Sequence, residues 1–130
     1  MRTPQDIERY MLEADLSYKE IGDGTWLIND EEARIWNLVI RYEEPVLLFR
    51  IKIMDIPEKN REELYKMLLE LNAEEMLHSS YGIEGDSIIL SSALPVENLD
   101  FNEFQAVIDD MSFALNNHLS KIREIIQKGE

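Results

Sequence analysis

The sequence predicts an α+β two-layer sandwich, with an antiparallel sheet whose helices pack on one face. Three observations predict it. Residues 34–42 and 46–54 alternate apolar and polar side chains with the period of two that a half-buried strand requires. Residues 57–72 and 101–126 instead repeat their apolar side chains every three or four positions, as an amphipathic helix does. Short turn sequences, Glu43-Glu44-Pro45 and Glu84-Gly85-Asp86, separate neighbouring strand-forming runs, so those runs pair antiparallel.

Thr3-Pro4-Gln5-Asp6 opens the first helix. Thr3 is an N-cap, proline is tolerated at the first helical position, and the Asp6 carboxylate favours the positive end of the helix dipole. Ile7, Tyr10, Met11 and Ala14 follow at helical spacing, and this helix ends near Asp15. Strand-like sequence from Leu16 to Ile21 leads into the Gly22-Asp23-Gly24 turn, and Thr25-Trp26-Leu27-Ile28 follows it. Asn29-Asp30-Glu31-Glu32 is a polar break. In the next strand, Arg34 to Tyr42, the phase places Trp36, Leu38, Ile40 and Tyr42 on one face. Pro45 sits in the connection, where it owes no ladder hydrogen bond, and Val46 to Met54 puts Leu47, Phe49, Ile51 and Ile53 on one face.

Pro57-Glu58 starts a second helix with Leu64, Met67, Leu68 and Leu71 as its stripe and Asn72 as its stop. Met76 to Ile83 and Ser87 to Leu94 read as a second hairpin, ended by Pro95. Asp100 with Glu103 forms a capping box for the last helix. Its stripe runs through Phe101, Phe104, Ile108, Met111, Leu115, Ile122 and Ile125, broken at His118, over about 27 residues or roughly 40 Å. The order is helix, three strands, helix, two strands, helix (α-β-β-β-α-β-β-α), in a single domain across residues 1–130.

Composition narrows the function. The chain has 27 acidic and 13 basic residues, a formal net charge of −14, which would repel a phosphate backbone or an anionic lipid surface. Nucleic acid and membrane are therefore not expected partners. Forty-five per cent apolar residues are enough for a packed core. The absence of cysteine rules out disulfides and thiolate metal sites and suits a reducing cytoplasm. No apolar run approaches the ~20 residues of a membrane-spanning helix, and Met1 to Leu16 lacks the pattern of a signal peptide.

No catalytic pattern stands out. His78 and His118 lie on different elements without metal-ligand spacing, and His118, on the stripe of the last helix, reads as a core or interface residue. The carboxylate clusters Asp30-Glu31-Glu32 and Asp109-Asp110 lack the spacing of a calcium loop and read as solvated faces and helix-terminal charges. Neither glycine-rich turn opens a helix as a phosphate loop would. The sequence predicts no enzyme, cofactor, metal site or small-molecule substrate.

What the strands do indicate is a contact surface. The face opposite the main stripes carries Ile35, Val39, Val46, Leu48 and Met54 beside Asn37, Arg41, Arg50 and Lys52, which is more apolar than a plain solvated face needs to be. Ile35, Val39, Val46 and Leu48 are the candidate protein-binding residues. A one-residue error of register would move all of them to the other face. The alternative is that a terminal helix wraps round and seals this face.

The second half resembles the type III secretion chaperone-like superfamily, which includes the Tir chaperone (CesT) and YbjN families. The resemblance is carried by Leu64 to Asn72 on a helix, Tyr81-Gly82-Ile83-Glu84-Gly85-Asp86-Ser87-Ile88-Ile89-Leu90-Ser91 across a hairpin, and Leu94-Pro95, Leu99-Asp100 and Phe104 leading into the last helix. It implies the same α-β-β-β-α-β-β-α order and frequent homodimers. For the chaperone branch it implies binding of an extended or amphipathic segment of a client protein. For the YbjN branch, labelled as sensory transduction regulators, it implies a cytoplasmic regulatory partner. The sequence leaves both branches open, and the superfamily supplies no catalytic motif.

Overall fold

The computed structural model describes residues 1–128 and contains, in order, α1 (Pro4–Glu13), β1 (Tyr18–Gly22), β2 (Thr25–Asp30), β3 (Ile35–Glu43), β4 (Val46–Asp55), α2 (Arg61–Glu74), β5 (Ser80–Glu84), β6 (Ser87–Pro95) and α3 (Phe101–Lys128). The six strands form one antiparallel sheet in the order β1-β2-β3-β4-β6-β5. The strand-like stretch on either side of Gly22-Asp23-Gly24 is thus a hairpin of two paired strands. Gly24 sits at its tip with φ +64°, where a side chain would be strained, and a Cβ would meet Tyr42 Cβ at 3.4 Å.

One face of the sheet is the core. Trp26, Ile28, Leu38, Ile40, Leu47, Phe49, Ile51, Ile88 and Leu90 are buried there with Ile7, Tyr10 and Met11 of α1, Leu64, Leu68 and Leu71 of α2, and Phe104, Val107, Ile108, Met111 and Leu115 of α3. Rings tie the layers together: Phe104 packs on Tyr10 at 5.8 Å and on Phe49 at 5.7 Å between centroids. Thr3 caps α1 as expected, and Asp6 bonds back to Thr3 N–H to complete a capping box there; the box expected at α3 is present, with Asp100 and Glu103 capping each other's backbone N–H groups.

Three local expectations are corrected. The α2 helix begins at Arg61, not Pro57; Asn60 at its N-cap is left-handed, and its amide donates to the Ile125 carbonyl at 3.0 Å, joining α2 to α3. Asn72 does not stop the helix. Its side chain accepts from Tyr81 N–H at 2.7 Å and donates to Tyr81 C=O at 3.1 Å, completing the hydrogen bonds of that β5 residue. Met76 to Ser79 is a loop, and β5 begins at Ser80.

A fourth correction concerns phase. A bulge interrupts the β2–β3 ladder between Ile28–Leu38 and Asp30–Ile35, with Asn37 at φ +60°. Asn37 N–H turns to the Asn29 side chain at 2.8 Å. Ile35 is therefore on the core face, three residues before Leu38, and the Trp36 indole is partly exposed.

Candidate functional site

The second face of the sheet carries no helix, since all three helices contribute their apolar stripes to the other side. Cross-strand pairing fixes its rows. Thr25, Arg41, Leu48 and Ala93 lie abreast, and Leu27, Val39, Arg50 and Ser91 form the next row. Val39 and Leu48 are diagonal neighbours and, with Asn37, Arg41, Arg50 and Lys52, line a shallow depression of about 310 Å³. Val46 is two residues from Leu48 on the same face, paired with Glu43 and Pro95. All three candidates are half-buried. The fourth, Ile35, is excluded: the bulge carries it into the core, where it is 0% exposed. The face is ringed by exposed ion pairs, Arg41–Glu43 at 3.2 Å, Arg50–Glu84 at 2.5 Å and Lys52–Asp55 at 2.8 Å. Pairs this exposed are weak and can exchange partners.

The outer strands of the sheet are β1 and β5. Beside β5, Tyr65, Leu68, Leu69 and Asn72 of α2 and Tyr81 and Ile83 of β5 line an apolar groove of about 340 Å³. Leu69 is 67% and Ile83 55% exposed. Asn72 already takes both backbone groups of Tyr81, so what this groove offers another polypeptide is its exposed apolar side chains and not a free strand edge.

The buried polar groups lie behind these surfaces. His118, fully buried as its place on the stripe implied, bonds the Tyr81 hydroxyl through Nδ1 at 2.7 Å and the Glu75 carboxylate through Nε2 at 3.2 Å. Burial, then the charges of Glu75 and Asp110, push the Tyr81 hydroxyl far above the usual tyrosine range, so it stays protonated. Asp110 corrects another expectation: it is 7% exposed, not a solvated charge. Burial alone would raise its pKa. The Ser79 hydroxyl and the N–H groups of His78, Leu77 and Ser79 outweigh that and hold its carboxyl below the ordinary value. Asp30 is likewise buried. The N–H groups of Ala33 at 2.8 Å and Ser17 at 2.7 Å lower its pKa and fasten the end of β2.

These groups brace backbone and loops. Among the described residues no three His, Asp or Glu side chains converge as a metal site would require, and no helix is long and apolar enough to cross a membrane. Sequence reasoning missed the β5 groove and the role of Asp110. A signal for the latter existed: Asp110 lies three residues after Val107 and four before Ala114, on the apolar stripe of α3.

An antiparallel sheet with helices on one side and a bare apolar-and-cationic face on the other defines an α+β scaffold with a surface open to another polypeptide. The family follows from the sequence match: the chain belongs to the CesT_Tir_1 family, whose model matches residues 1–128. The family is one of non-catalytic binding proteins. No curated protein sequence matches the chain. Among solved structures, it is similar to a chain of the heterodimeric ExoU–SpcU complex from the type III secretion system of Pseudomonas aeruginosa, with TM-score 0.68, 14% identity and coverage of 94% of this chain and 98% of that one. It is similar to YbjN from E. coli, with TM-score 0.61, 11% identity and coverage of 97% and 90%. It is also similar to the type III secretion chaperone SycH of Yersinia pestis, solved with a fragment of YscM2, with TM-score 0.59, 16% identity and coverage of 95% and 99%. At these identities the likeness is one of fold.

Proposed function

We propose that this protein is a cytoplasmic chaperone-type module that holds an extended or amphipathic segment of a client protein against the bare face of its sheet. The observation that carries the reading is that all three helices pack on one face, while Val39, Val46 and Leu48 remain on the other beside Arg41, Arg50 and Lys52. An extended segment can pair its backbone with a free edge and seat alternate side chains on this floor. Family membership supports the reading. So do the neighbours of like fold that were solved as complexes, ExoU–SpcU, HopA1–SchA and SycH with its YscM2 fragment.

The groove between α2 and β5 is assigned to a second copy of the chain, giving a homodimer. Leu69 and Ile83 would bury one another's exposed surface there, side chain against side chain. A second reading, favoured by the likeness of the fold to YbjN, gives the same surfaces to a cytoplasmic regulatory partner in place of a secreted client.

The test is quantitative affinity capture from the native lysate with the wild type and with the double variant Val39→Asp/Leu48→Asp. Two carboxylates on an apolar floor should abolish recovery of the client and leave the circular dichroism spectrum unchanged. Undiminished recovery by a folded double variant removes this face from the function. A secreted effector among the captured proteins supports chaperoning, and a kinase or regulator supports the second reading.

A further inference from the structure

The most exposed large apolar side chain among the described residues is neither on the bare sheet face nor in the β5 groove. It is Leu77, 82% exposed, at the tip of the α2–β5 loop. An exposed leucine on a slack loop would mean little. This loop is not slack. The Asp110 carboxylate, itself 7% exposed, accepts from the backbone N–H groups of Leu77 at 3.2 Å, His78 at 2.9 Å and Ser79 at 2.8 Å, and from the Ser79 hydroxyl at 2.7 Å. Ser92 adds a bond from its hydroxyl to the His78 carbonyl at 2.6 Å. A buried carboxylate is thus used to fix three consecutive amides, and their fixed geometry holds Leu77 out in water.

Beside Leu77 runs a groove of about 410 Å³ between the loop and α3. Ala106 and the half-exposed Phe113 ring supply more apolar surface, and Glu75 and Asp109 supply carboxylates. The Phe113 ring is held edge-on to His118, with centroids 5.5 Å apart. The one cation at its rim among the described residues is Lys121, 3.8 Å from Glu75 in an exposed pair that a partner's cation can replace, and Asp109 has no cationic partner, in contrast to the sheet face with its Arg41, Arg50 and Lys52. An apolar anchor set in advance on a rigid loop and flanked by carboxylates matches a ligand that carries apolar side chains with cations beside them. The carboxylates that line this groove, in contrast to the apolar lining of the β5 groove, select a cationic partner surface.

We propose that the α2–β5 loop and the adjoining surface of α3 form a second docking surface, separate from the sheet face, for a basic amphipathic segment of a partner protein. Apolar side chains of that segment rest on Leu77, Ala106 and Phe113, and its lysines or arginines reach Glu75 and Asp109.

The experiment is fluorescence anisotropy on the full chain with a labelled helical peptide of about twelve residues, bearing leucines three and four apart and lysines beside them. Companion peptides replace the lysines by glutamine or by glutamate. The lysine peptide should bind the tightest. Its affinity should fall at least about tenfold in Leu77→Asp. It should also fall in Glu75→Gln/Asp109→Asn, and as salt rises from about 50 to about 300 mM. Binding should be unaltered in Val39→Asp/Leu48→Asp, which separates this surface from the sheet face. Leu77 is exposed, so Leu77→Asp should melt at the wild-type temperature. The proposal is overturned if the glutamate peptide binds as well as the lysine peptide, or if Leu77→Asp binds normally. It is also overturned if Leu77→Asp halves the mass in solution, which would give the surface to a second copy.

Discussion

Replacing Asp110 by asparagine tests how the loop that carries Leu77 is held. Oδ2 of Asp110 accepts three hydrogen bonds, from His78 N–H, Ser79 N–H and the Ser79 hydroxyl, and Oδ1 accepts one from Leu77 N–H. Asparagine can leave its carbonyl oxygen at the crowded position, but its amide group then faces the Leu77 N–H, donor against donor. One bond is lost outright and the other three lose their charge. A hydrogen bond to a charged group contributes about 1.5–3 kcal/mol and one between neutral groups about 1, so one bond lost and three weakened should make Asp110→Asn cost at least about 3 kcal/mol. Urea unfolding followed by circular dichroism at pH 7 measures this.

The pH dependence gives a second, independent check. The Asp110 pKa is lowered in the folded protein from an ordinary 3.8, so the unfolded chain takes up the proton first as the medium is acidified. The stabilisation is complete above 3.8 and disappears as the pH falls through the folded value. The gap between wild type and Asp110→Asn should hold constant from pH 7 toward 5 and narrow below 3.8. A gap under about 1 kcal/mol, or one that persists unchanged in acid, would refute the assignment of Asp110 as the anchor of this loop.

Two further predictions concern the same packing. Tyr81→Phe removes the hydroxyl bonded to His118 Nδ1 and leaves that buried nitrogen without a partner, at a cost of about 1–3 kcal/mol in chemical denaturation. Ile35→Asp should prevent folding or lower stability by more than about 3 kcal/mol, because it places a charge in the core, whereas Val39→Asp should change stability by no more than about 1 kcal/mol. Equal losses at the two sites would mean that the bulge at Asn37 does not exist in solution.

That bulge also marks where sequence reasoning met its limit. Period-two phasing placed Leu38, Ile40, Leu47, Phe49 and Ile51 correctly on the core face, because the β3–β4 ladder runs without interruption from Leu38–Ile51 to Glu43–Val46. Phasing assumes an unbroken strand. A non-glycine residue at φ +60° inverted the register upstream of Leu38 and exchanged the roles of Ile35 and Trp36. The long last helix was legible for the opposite reason: 28 residues give the 3.6-residue period many repeats, so even the polar interruption at His118 fell within the buried stripe.

Loops carry no such period. Met76-Leu77-His78 has the composition of a strand, and what keeps it out of the sheet is a carboxylate more than 30 positions away in the chain. Long-range pairing of this kind leaves no local trace. The β5 groove was hidden for the same reason, since Leu69 and Ile83 come together only once α2 lies beside the sheet edge.

The account rests on the bare face of the sheet being the surface that receives a client. A photo-crosslinking residue placed at Leu48, on that face, and in a separate preparation at Glu124, exposed on α3, reads this directly in living cells. Leu48 should give a discrete crosslinked product with another polypeptide, lost when Val39 is changed to aspartate, and Glu124 should give none. Crosslinking from Glu124 with silence at Leu48 would place the working surface on the helical side and contradict the account.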